Sequence, residues 1–306
     1  MHVSIATMTD NANAIASRNH CNICGKAFDR DTTELAPVHC NVRRFAHEVF
    51  HVWRCPDCRC MHCLEMVDLD HYYAAYEPHR EELDFFMRLV YSEQLRRFRA
   101  AGLKRDHRFL DYGCGSGKLV SYLHTKGYAN AVGYDPYGEA LDLADRSVLE
   151  DGALDFICLQ EVIEHVEEPR PLLAELSRLL RPGGCLLVGM PSGDDIDLGR
   201  PHEFKHHLHV PYHLHIYTRE VLERLAGEIG LEPIAFYRRF YTESLVFGMN
   251  AAFFRGYMER LDDTVDALLE PVRIGTILRS PKLWFHGAFG YFYSGRHSTT
   301  VVFRKR

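Results

Sequence analysis

The order of apolar and polar residues predicts most of the secondary structure between residues 105 and 243. Short apolar runs of strand length alternate there with longer stretches that carry apolar residues at helical spacing. This alternation predicts a parallel β-sheet with crossover helices, which is an α/β fold. The predicted strands cover residues 109–111, 131–135, 154–160, 185–190 and 234–240. The predicted helices cover residues 119–126, 171–180 and 218–229.

The segments on either side of this region follow other patterns. Residues 81–90 place apolar residues at helical spacing, and residues 244–294 are helical in pattern and rich in aromatic residues. An apolar run at residues 298–304 predicts one more strand. We therefore expect a disordered tail at 1–18, a cysteine-rich module at 19–66, a helical linker or lid at 67–104, an α/β core at 105–243, a helical insertion at 244–296 and the last core strand at 297–306.

The composition predicts a globular protein with a substantial core. The chain has 306 residues, of which 46% are hydrophobic and 25% are charged, enough for one large domain and a small one. A net charge of −6 argues against a general nucleic-acid binder, which usually carries a basic domain. No apolar window of about 18 residues predicts a transmembrane helix, and the polar N-terminus lacks the apolar stretch of a signal peptide. We expect a cytoplasmic protein with reduced cysteines.

A glycine-rich loop follows the first predicted core strand. Gly113, Gly115 and Gly117 stand at every second position, and glycine allows a ligand to lie against the backbone. A dinucleotide-binding loop would need glycine at position 118, where this chain has Lys118. A phosphate-binding P-loop would need four residues between its glycines and a serine or threonine at position 119. A turn without any ligand is the remaining alternative.

The sequence D-x-G-x-G-x-G from Asp111 to Gly117 resembles the first motif of class I methyltransferases that use S-adenosylmethionine (SAM). Residues 154–169, 179–188 and 213–218 resemble further segments of the same family, in its ubiquinone-type group. Together these segments cover residues 109–240. The resemblance implies a Rossmann-like sheet of seven strands with a reversed last strand, and it implies SAM as the methyl donor.

The resemblance also implies residues that bind the cofactor. Asp135 ends the second predicted strand, where an acid bonds the ribose hydroxyls of an adenosine ligand in doubly wound folds; alone, it would be read as a helix N-cap. The stretch between residues 135 and 155 is short for a helix and a third strand, so Asp145 is the nearest candidate for an adenine-binding acid. The predicted cofactor-binding residues are Asp111, Gly113, Gly115, Gly117, Asp135, Asp145 and Gln160.

Candidates for catalysis follow the fourth and fifth strands. Glu161, Glu164 and His165 resemble residues that bind a divalent cation in some ubiquinone-type O-methyltransferases, although these charges can also cap a helix. Six of the chain's 19 histidines lie within a short segment: His202, His206, His207, His209, His213 and His215. Histidine titrates near neutrality and serves as a base or a ligand. We predict His207, His213, His165 and Glu161 as catalytic residues, and we expect lid or packing roles for Tyr72, Tyr73 and Tyr76.

Two C-x-x-C pairs occupy the N-terminal module. Cys21 and Cys24 form one pair, and Cys55 and Cys58 form the other, which is the spacing of a four-thiolate zinc site. Such a site leaves no open coordination position, so its role would be structural. A redox role is disfavoured because that motif normally opens a helix of a thioredoxin-type fold. The layout resembles zinc-ribbon methyltransferases that modify sugars and natural products. Alternative ligands are Cys60, Cys63, His20, His39 and His62.

These observations predict a SAM-dependent methyltransferase that acts on a small molecule, such as a sugar or a natural-product intermediate. O-methylation is favoured because a histidine base suits a hydroxyl group. One alternative is an enzyme that modifies RNA or protein, with a basic stretch at Arg96, Arg97, Arg99, Lys104 and Arg105. The other is a non-catalytic SAM-binding protein. The pattern does not predict an oligomeric state.

Overall fold

The computed structural model of the protein describes residues 13–74, 83–136, 143–294 and 297–306. Its N-terminal part contains five short strands and two helices. The strands are β1 (Ala14–Ser17), β2 (Glu34–His39), β3 (Val49–Arg54), β4 (Met61–Cys63) and β5 (Glu65–Val67). The helices are α1 (Leu69–Tyr73) and α2 (Phe85–Ala100), and Asp84 caps the start of α2 by accepting a hydrogen bond from the Met87 backbone.

The remainder alternates strands with helices, as predicted. The strands are β6 (Phe109–Tyr112), β7 (Ala131–Tyr134), β8 (Leu154–Gln160), β9 (Leu180–Pro191), β10 (His215–Ile216), β11 (Leu231–Tyr237) and β12 (Ser298–Lys305). The helices are α3 (Lys118–Thr125), α4 (Pro169–Leu179), α5 (Lys205–Leu208), α6 (Arg219–Glu228), α7 (Ala251–Glu259), α8 (Asp266–Leu269), α9 (Ile274–Leu278) and α10 (Pro281–Tyr293). Helices α7 to α10 occupy the segment predicted as an insertion.

The central sheet has the order β11-β12-β9-β8-β6-β7. Strands β6, β7, β8 and β9 are parallel, and β12 runs antiparallel to β9 and β11. The reversed last strand is therefore confirmed. The sheet has six strands in the described residues, not the predicted seven. The physical reason is length, because the described residues between β7 and β8 hold only a 3₁₀ turn at Arg146–Val148.

Helices cover both faces of this sheet, so the strands are buried on both sides. One face packs against α4 and α6, where Leu176 and Leu222 meet Val301 and Phe303 of β12. Val302 points to the other face and packs with the side chains of α2 and α3. Because successive residues of a strand point to opposite faces, β12 contributes to both halves of the core.

The N-terminal module is joined to the core by strand pairing. Its sheet has the order β10-β4-β3-β2, and β10 belongs to the core segment of the chain. His215 pairs with His62, and Ile216 pairs with Met61. The module therefore packs against the core through a shared sheet.

The predicted disordered tail is wrong for its last residues. Residues 14–17 form β1, which pairs antiparallel with β5. The four residues of β1 are all exposed, so their order depends on backbone hydrogen bonds to β5. A hydropathy pattern carries no signal for that kind of pairing. Among the described residues, no helix combines the length and apolarity that a membrane span requires.

Replacement of a core residue of β12 tests this architecture. Phe303 is fully buried in the middle of the sheet, whereas Phe292 is 70% exposed on α10. We expect Phe303→Ala to lower the free energy of unfolding by about 3–5 kcal/mol, because it leaves a cavity between the sheet and its helices. Phe292→Ala should change it by less than about 0.5 kcal/mol. Urea denaturation measures both, and equal losses would contradict the placement of β12.

Candidate active site

The glycine-rich loop connects β6 to α3 in a left-handed backbone conformation. The φ angles of Gly113, Gly115 and Gly117 are 77°, 51° and 69°. A Cβ atom at Gly113 would lie 2.4 Å from Cγ2 of Val162, so only glycine fits between these two segments. The loop therefore passes directly against the segment that follows β8.

Asp135 is the first residue after β7 and lies beside this loop. The backbone N–H of Gly115 donates a hydrogen bond to Oδ2 of Asp135 over 2.9 Å. The structure thus brings the predicted ribose-binding acid to the predicted cofactor loop. Parallel strands place their carboxyl ends at one edge of a sheet, and that edge is where open α/β sheets bind ligands.

Asp111 is buried and is the last residue but one of β6, just before the loop. The pKa of its carboxyl group is raised to about 7, mainly because the group is buried. A hydrogen bond with Cys158 opposes this rise, and the negative charge of Asp135 adds to it. Tyr91 of α2 lies close enough for Asp111 to raise its pKa, which burial raises most. A buried acid at this position is costly as an anion unless a positive charge lies beside it.

A second group of acids follows β8 at the same edge. Glu161 adopts a positive φ of 55°, and its Oε1 accepts a hydrogen bond from Nε2 of Gln160 over 2.9 Å. Burial raises the pKa of Glu161 to about 8. Glu164 is fully buried, and burial raises its pKa well above the ordinary range. The carboxyl group of Glu161 lies beside it and raises the pKa of Glu164 further, and no other described residue hydrogen-bonds the carboxyl oxygens of Glu164.

Glu164 lies in a cluster with two histidines. One ligand atom each from Glu164, His165 and His213 lie within 4.8 Å of one another. Nδ1 of His213 is 2.8 Å from the carbonyl oxygen of His207, and Nδ1 of His165 is 3.0 Å from that of Tyr212. Because a carbonyl oxygen can only accept, both Nδ1 atoms carry hydrogen and both Nε2 atoms present a lone pair.

The remaining predicted site residues lie in other surroundings. The His207 ring packs against His297 and Phe204, while its backbone carbonyl accepts the hydrogen bond from His213. Burial lowers the pKa of His207 to about 3. Asp145 is exposed and accepts hydrogen bonds from the Ser147 backbone and hydroxyl, as a cap of the turn that follows. A cofactor-binding role for Asp145 stays a prediction.

The three tyrosines of the predicted lid divide into different roles. Tyr72 is fully buried, and its hydroxyl donates to Glu48 over 2.7 Å, so it serves packing. The hydroxyl of Tyr73 lies 3.0 Å from Nδ1 of His165, at the edge of the cluster. Tyr76 lies outside the described residues.

Two residues near the site could not be found from the sequence. Tyr241 follows β11, and burial together with the nearby charge of Glu161 raises its pKa well above the ordinary range. Gln94 of α2 is buried and points its Nε2 at the sulfur of Cys158, 3.8 Å away. The one signal that the sequence offers for Gln94 is its polarity at a position of α2 that faces the core.

The four cysteines of the two C-x-x-C pairs come together. One sulfur atom from each of Cys21, Cys24, Cys55 and Cys58 lies within 4.8 Å of the others. The Cys21–Cys58 and Cys24–Cys55 sulfur distances are both 3.5 Å. Thiolates bound tetrahedrally at about 2.3 Å from zinc lie about 3.8 Å apart, so this group can hold a zinc ion.

Hydrogen bonds connect the cysteine group to the acid–histidine cluster. Nε2 of His62 lies 3.2 Å from the Cys21 sulfur, and Nδ1 of His62 lies 2.8 Å from Nδ1 of His215. The Cys63 backbone N–H donates to the carbonyl of Leu214, and the Leu214 N–H donates to the carbonyl of Glu164. The module thereby fixes the backbone on which Glu164 and His213 stand.

A family comparison agrees with the fold and with the loop. Residues 83–235, which are half of the chain, match the family described as "Methyltransferase domain". The chain belongs to this family of methyltransferase domains. The matched range includes the glycine loop, Asp135 and the Glu164 cluster.

Curated relatives are similar over part of the chain. A protein named "Uncharacterized 37.1 kDa protein in transposon TN4556" from Streptomyces fradiae is 31% identical over 142 residues, which are 40% of this chain and 39% of the relative. A "Ubiquinone biosynthesis O-methyltransferase" from Cronobacter sakazakii is 32% identical over 105 residues, which are 28% of this chain and 42% of the relative. The chain thus spans about two fifths of the length of these relatives.

Solved structures of the same general type are also similar. A SAM-dependent methyltransferase from Archaeoglobus fulgidus has a TM-score of 0.45 and 15% identity, and the match covers 77% of this chain and 100% of that one. An S-adenosylmethionine-dependent methyltransferase from Mesorhizobium loti has a TM-score of 0.42 and 15% identity, with 71% and 100% covered.

The raised pKa of Asp111 predicts a pH-dependent stability. Its folded-state pKa of about 7 exceeds the unfolded value of 3.8, so the folded chain holds the proton more tightly. That contribution is complete below pH 4 and is lost as the pH rises through 7. Between pH 5 and pH 8 we expect the wild type to lose roughly 2–3 kcal/mol more unfolding free energy than Asp111→Asn.

Urea denaturation of both proteins without SAM, at pH 5 and pH 8, measures this difference. Glu161 and Glu164 titrate in both proteins, so their contributions cancel in the comparison. Equal losses in the two proteins would show that the Asp111 carboxyl is not held neutral by its surroundings.

Proposed function

We propose that this methyltransferase transfers the methyl group of SAM to a hydroxyl group of a small molecule. The supporting observation is the contact between the two loops. Gly113 of the cofactor loop lies against Val162, which stands between Glu161 and the Glu164 cluster. A methyl donor on the first loop and an acceptor beside the second would therefore be neighbours.

The residues of the first loop fit a SAM molecule. Asp135 would bind the ribose hydroxyls, exchanging its hydrogen bond with Gly115 for bonds to the sugar. Asp111 lies where an ammonium group would favour its charged form, which relieves the cost of burying the acid. Gly113, Gly115 and Gly117 leave the backbone open for close approach. When bound, SAM would supply a methyl group on a positively charged sulfur, and that sulfur would leave when an oxygen lone pair attacks the methyl carbon.

The second loop would serve the acceptor. Methyl transfer requires the acceptor oxygen to be held in line with the methyl group, and it requires a group that takes up the hydroxyl proton. Nε2 of His213 is suited to that task because its Nδ1–H is fixed on the His207 carbonyl, which leaves the Nε2 lone pair free. Burial lowers the pKa of His213 well below its ordinary value, so its ring is neutral and open to a proton. Glu164, with Oε1 4.0 Å from Nε2 of His213, would stabilise the resulting imidazolium when its own carboxyl group is ionised.

A divalent cation is the second candidate for the same cluster. The observation in its favour is the carboxyl group of Glu164, which is fully buried and is hydrogen-bonded by no described residue other than Glu161. Glu164, His165 and His213 would be the ligands. The sequence groups Glu161 with them, but its carboxyl group instead accepts a hydrogen bond from Gln160. A bound cation would lower the pKa of an acceptor hydroxyl.

We also propose that zinc occupies the four-cysteine group and stabilises the module. The sulfur distances of 3.5 Å fit the edges of a tetrahedral thiolate site. Four protein ligands leave no open position, so the zinc ion would serve structure and not catalysis. Reduced cysteines suit a reducing compartment, which supports a cytoplasmic location.

Two observations support a small molecule as the acceptor. The curated relatives include proteins named for O-methylation in ubiquinone biosynthesis, although they match only 28% of this chain. The net charge of −6 disfavours the long phosphate backbone of RNA as the acceptor. A small, neutral or hydroxylated acceptor fits both observations.

Transfer of labelled methyl groups tests the proposed function. The protein is incubated with methyl-labelled SAM and fractions of sugars, phenols and other small hydroxyl compounds, and the labelled product is identified. We expect His213→Ala to lower turnover about 10²–10⁴-fold, which is the range of a lost general base. His202→Ala is the matched control, because His202 is an exposed histidine of the same segment, and its turnover should match the wild type.

Three results would contradict this proposal. Label in RNA or protein would identify a macromolecular acceptor instead. Saturable SAM binding without any label transfer would indicate a SAM-binding protein that is not an enzyme. An Asp135→Ala variant that binds SAM with wild-type affinity in a calorimetric titration would show that the cofactor lies elsewhere.

Loss of one cysteine tests the zinc proposal. Cys24 is exposed, so replacing it by serine removes a ligand without opening a cavity. We expect Cys24→Ser to lose the zinc found by elemental analysis and to lower the free energy of unfolding by several kcal/mol. Cys40→Ser is the control, because Cys40 is outside the four-cysteine group. Retention of equimolar zinc in Cys24→Ser, or its absence from the wild type, would refute the proposal.

A further inference from the structure

Helix α10 turns its large apolar residues outward. Trp284, Phe285, Phe289, Phe292 and Tyr293 are all exposed, and Phe292 is 70% exposed. Their spacing places them on one side of the helix, because residues three, four and seven positions apart share a face. Phe285 and Phe289 have ring centroids 5.3 Å apart, so the exposed side chains form a continuous aromatic surface.

The inward face of α10 carries glycines where a buried helix usually carries leucine. A Cβ atom at Gly287 would lie 2.5 Å from the Phe247 ring, and one at Gly290 would lie 2.0 Å from Oδ1 of Asn250. The absence of side chains lets the segment before α7 approach α10 closely. Leu283 also lies on this inward face and packs with Phe253 and Tyr257, while the aromatic residues Trp284, Phe285 and Phe289 of α10 remain at the surface.

Neighbouring segments add to this apolar surface. Trp284 packs against Phe247 at a ring distance of 5.1 Å, and Leu245, two residues earlier, is 71% exposed. Helix α9, which directly precedes α10, exposes Ile274 and Leu278. Soluble proteins rarely expose a large contiguous apolar patch unless it contacts another surface.

The charges of the insertion are segregated. Most of its acids face the rest of the protein: Asp262 and Glu270 bind Arg43, and Asp263 binds Lys205 and His206. Glu259 instead pairs with Arg255 and Lys282 inside the insertion. From residue 271 to residue 294 the chain has no acid, and its three basic residues are Arg273, Arg279 and Lys282.

These three basic residues border the aromatic surface. Arg273 reaches Glu270, and Lys282 lies 3.9 Å from Glu259, while no ion pair within the described residues is assigned to Arg279. Lys282 lies one turn before Phe285 on the same side of α10. The border of the aromatic surface is therefore basic, although the whole chain is acidic.

We propose that the exposed face of α10 binds the surface of an anionic lipid membrane. Aromatic side chains with lysine and arginine at their border are the composition of helices that lie in a membrane interface. Basic residues near an anionic surface are attracted to it. A second copy of the chain is a poorer partner, because a two-fold contact would bring identical basic borders together.

The position of the insertion gives this contact a consequence for the enzyme. Helices α7 to α10 lie between β11 and β12, and β12 begins where Ser298 pairs with Pro191 at the carboxyl end of β9. The insertion therefore joins the sheet at the edge that carries the glycine loop. A membrane bound at α10 would lie on the side of the protein where the acceptor enters.

Flotation with lipid vesicles tests the proposal. The full chain is mixed with vesicles of phosphatidylglycerol and phosphatidylcholine, or of phosphatidylcholine alone, and the bound fraction is measured. We expect clear binding to the anionic vesicles and at least about tenfold weaker binding to the neutral ones, since the neutral surface does not attract the basic residues.

Two variants with matched controls separate the apolar and charged contributions. Phe285→Ser combined with Phe289→Ser should weaken binding to anionic vesicles at least about tenfold, because two half-exposed rings no longer insert. Arg279→Glu should weaken it roughly five- to tenfold, and more so at low salt. Ile15→Ser on β1 and Arg224→Glu on α6 are exposed controls on other elements, and both should bind as the wild type does.

The other outcomes would overturn the proposal. Failure of the wild type to bind anionic vesicles, or wild-type binding by both variants, would exclude a membrane contact at α10. A dimer in solution that the double phenylalanine variant abolishes, without vesicle binding, would assign this face to self-association. SAM binding is measured in every sample, so that loss of the fold is distinguished from loss of the surface.

Discussion

The close approach of Gly113 to Val162 is the contact on which the site depends. Strands β6 and β8 are parallel neighbours, so the loops that follow their carboxyl ends lie side by side. Gly113, with a φ of 77°, allows this close packing because a Cβ atom there would lie 2.4 Å from Val162. The cofactor loop consequently packs directly on Val162, next to the cluster of Glu164, His165 and His213, and this would keep a donor on the loop close to an acceptor at the cluster.

The cysteine module supports the same edge of the sheet from the other side. Strand β4 pairs with β10, and the Cys63 backbone bonds Leu214, which in turn bonds the carbonyl of Glu164. A histidine pair, His62 and His215, fills the space between the cysteine group and this backbone. A module fixed in this way supports residues 213–216, and this gives the four-cysteine group a reason to lie close to the catalytic candidates. Its effect on chemistry would be exerted through position and not through the metal charge.

The sequence was sufficient for the parts of the structure that local patterns specify. The strand at 154–160 and the Thr218 cap follow from apolar runs and from capping preferences, and both are present. The pairing of β4 with β10 joins residues about 150 positions apart through two backbone pairs, and no local pattern encodes it. The different ring contacts of His207 and His213 have the same cause, because α5 ends between them at His209, whose φ is positive, and no motif marks that change of direction. Neither Tyr241 nor Gln94 stands in a motif, so only the folded chain brings them to the site.

The buried acids explain why this edge of the sheet is a site and not merely a core. Asp111, Glu161 and Glu164 all have raised pKa values because burial disfavours their charged forms. A core optimised for stability would replace such groups with apolar residues of similar size, since unpaired buried acids weaken the fold. Their cost is reasonable only if cationic or proton-donating groups enter during the reaction. The proposed donor, with a positive sulfur and an ammonium group, would meet that condition at Asp111, and the proposed acceptor hydroxyl or cation would meet it at Glu164. The electrostatics of the unliganded chain would then be complementary to the charges of methyl transfer.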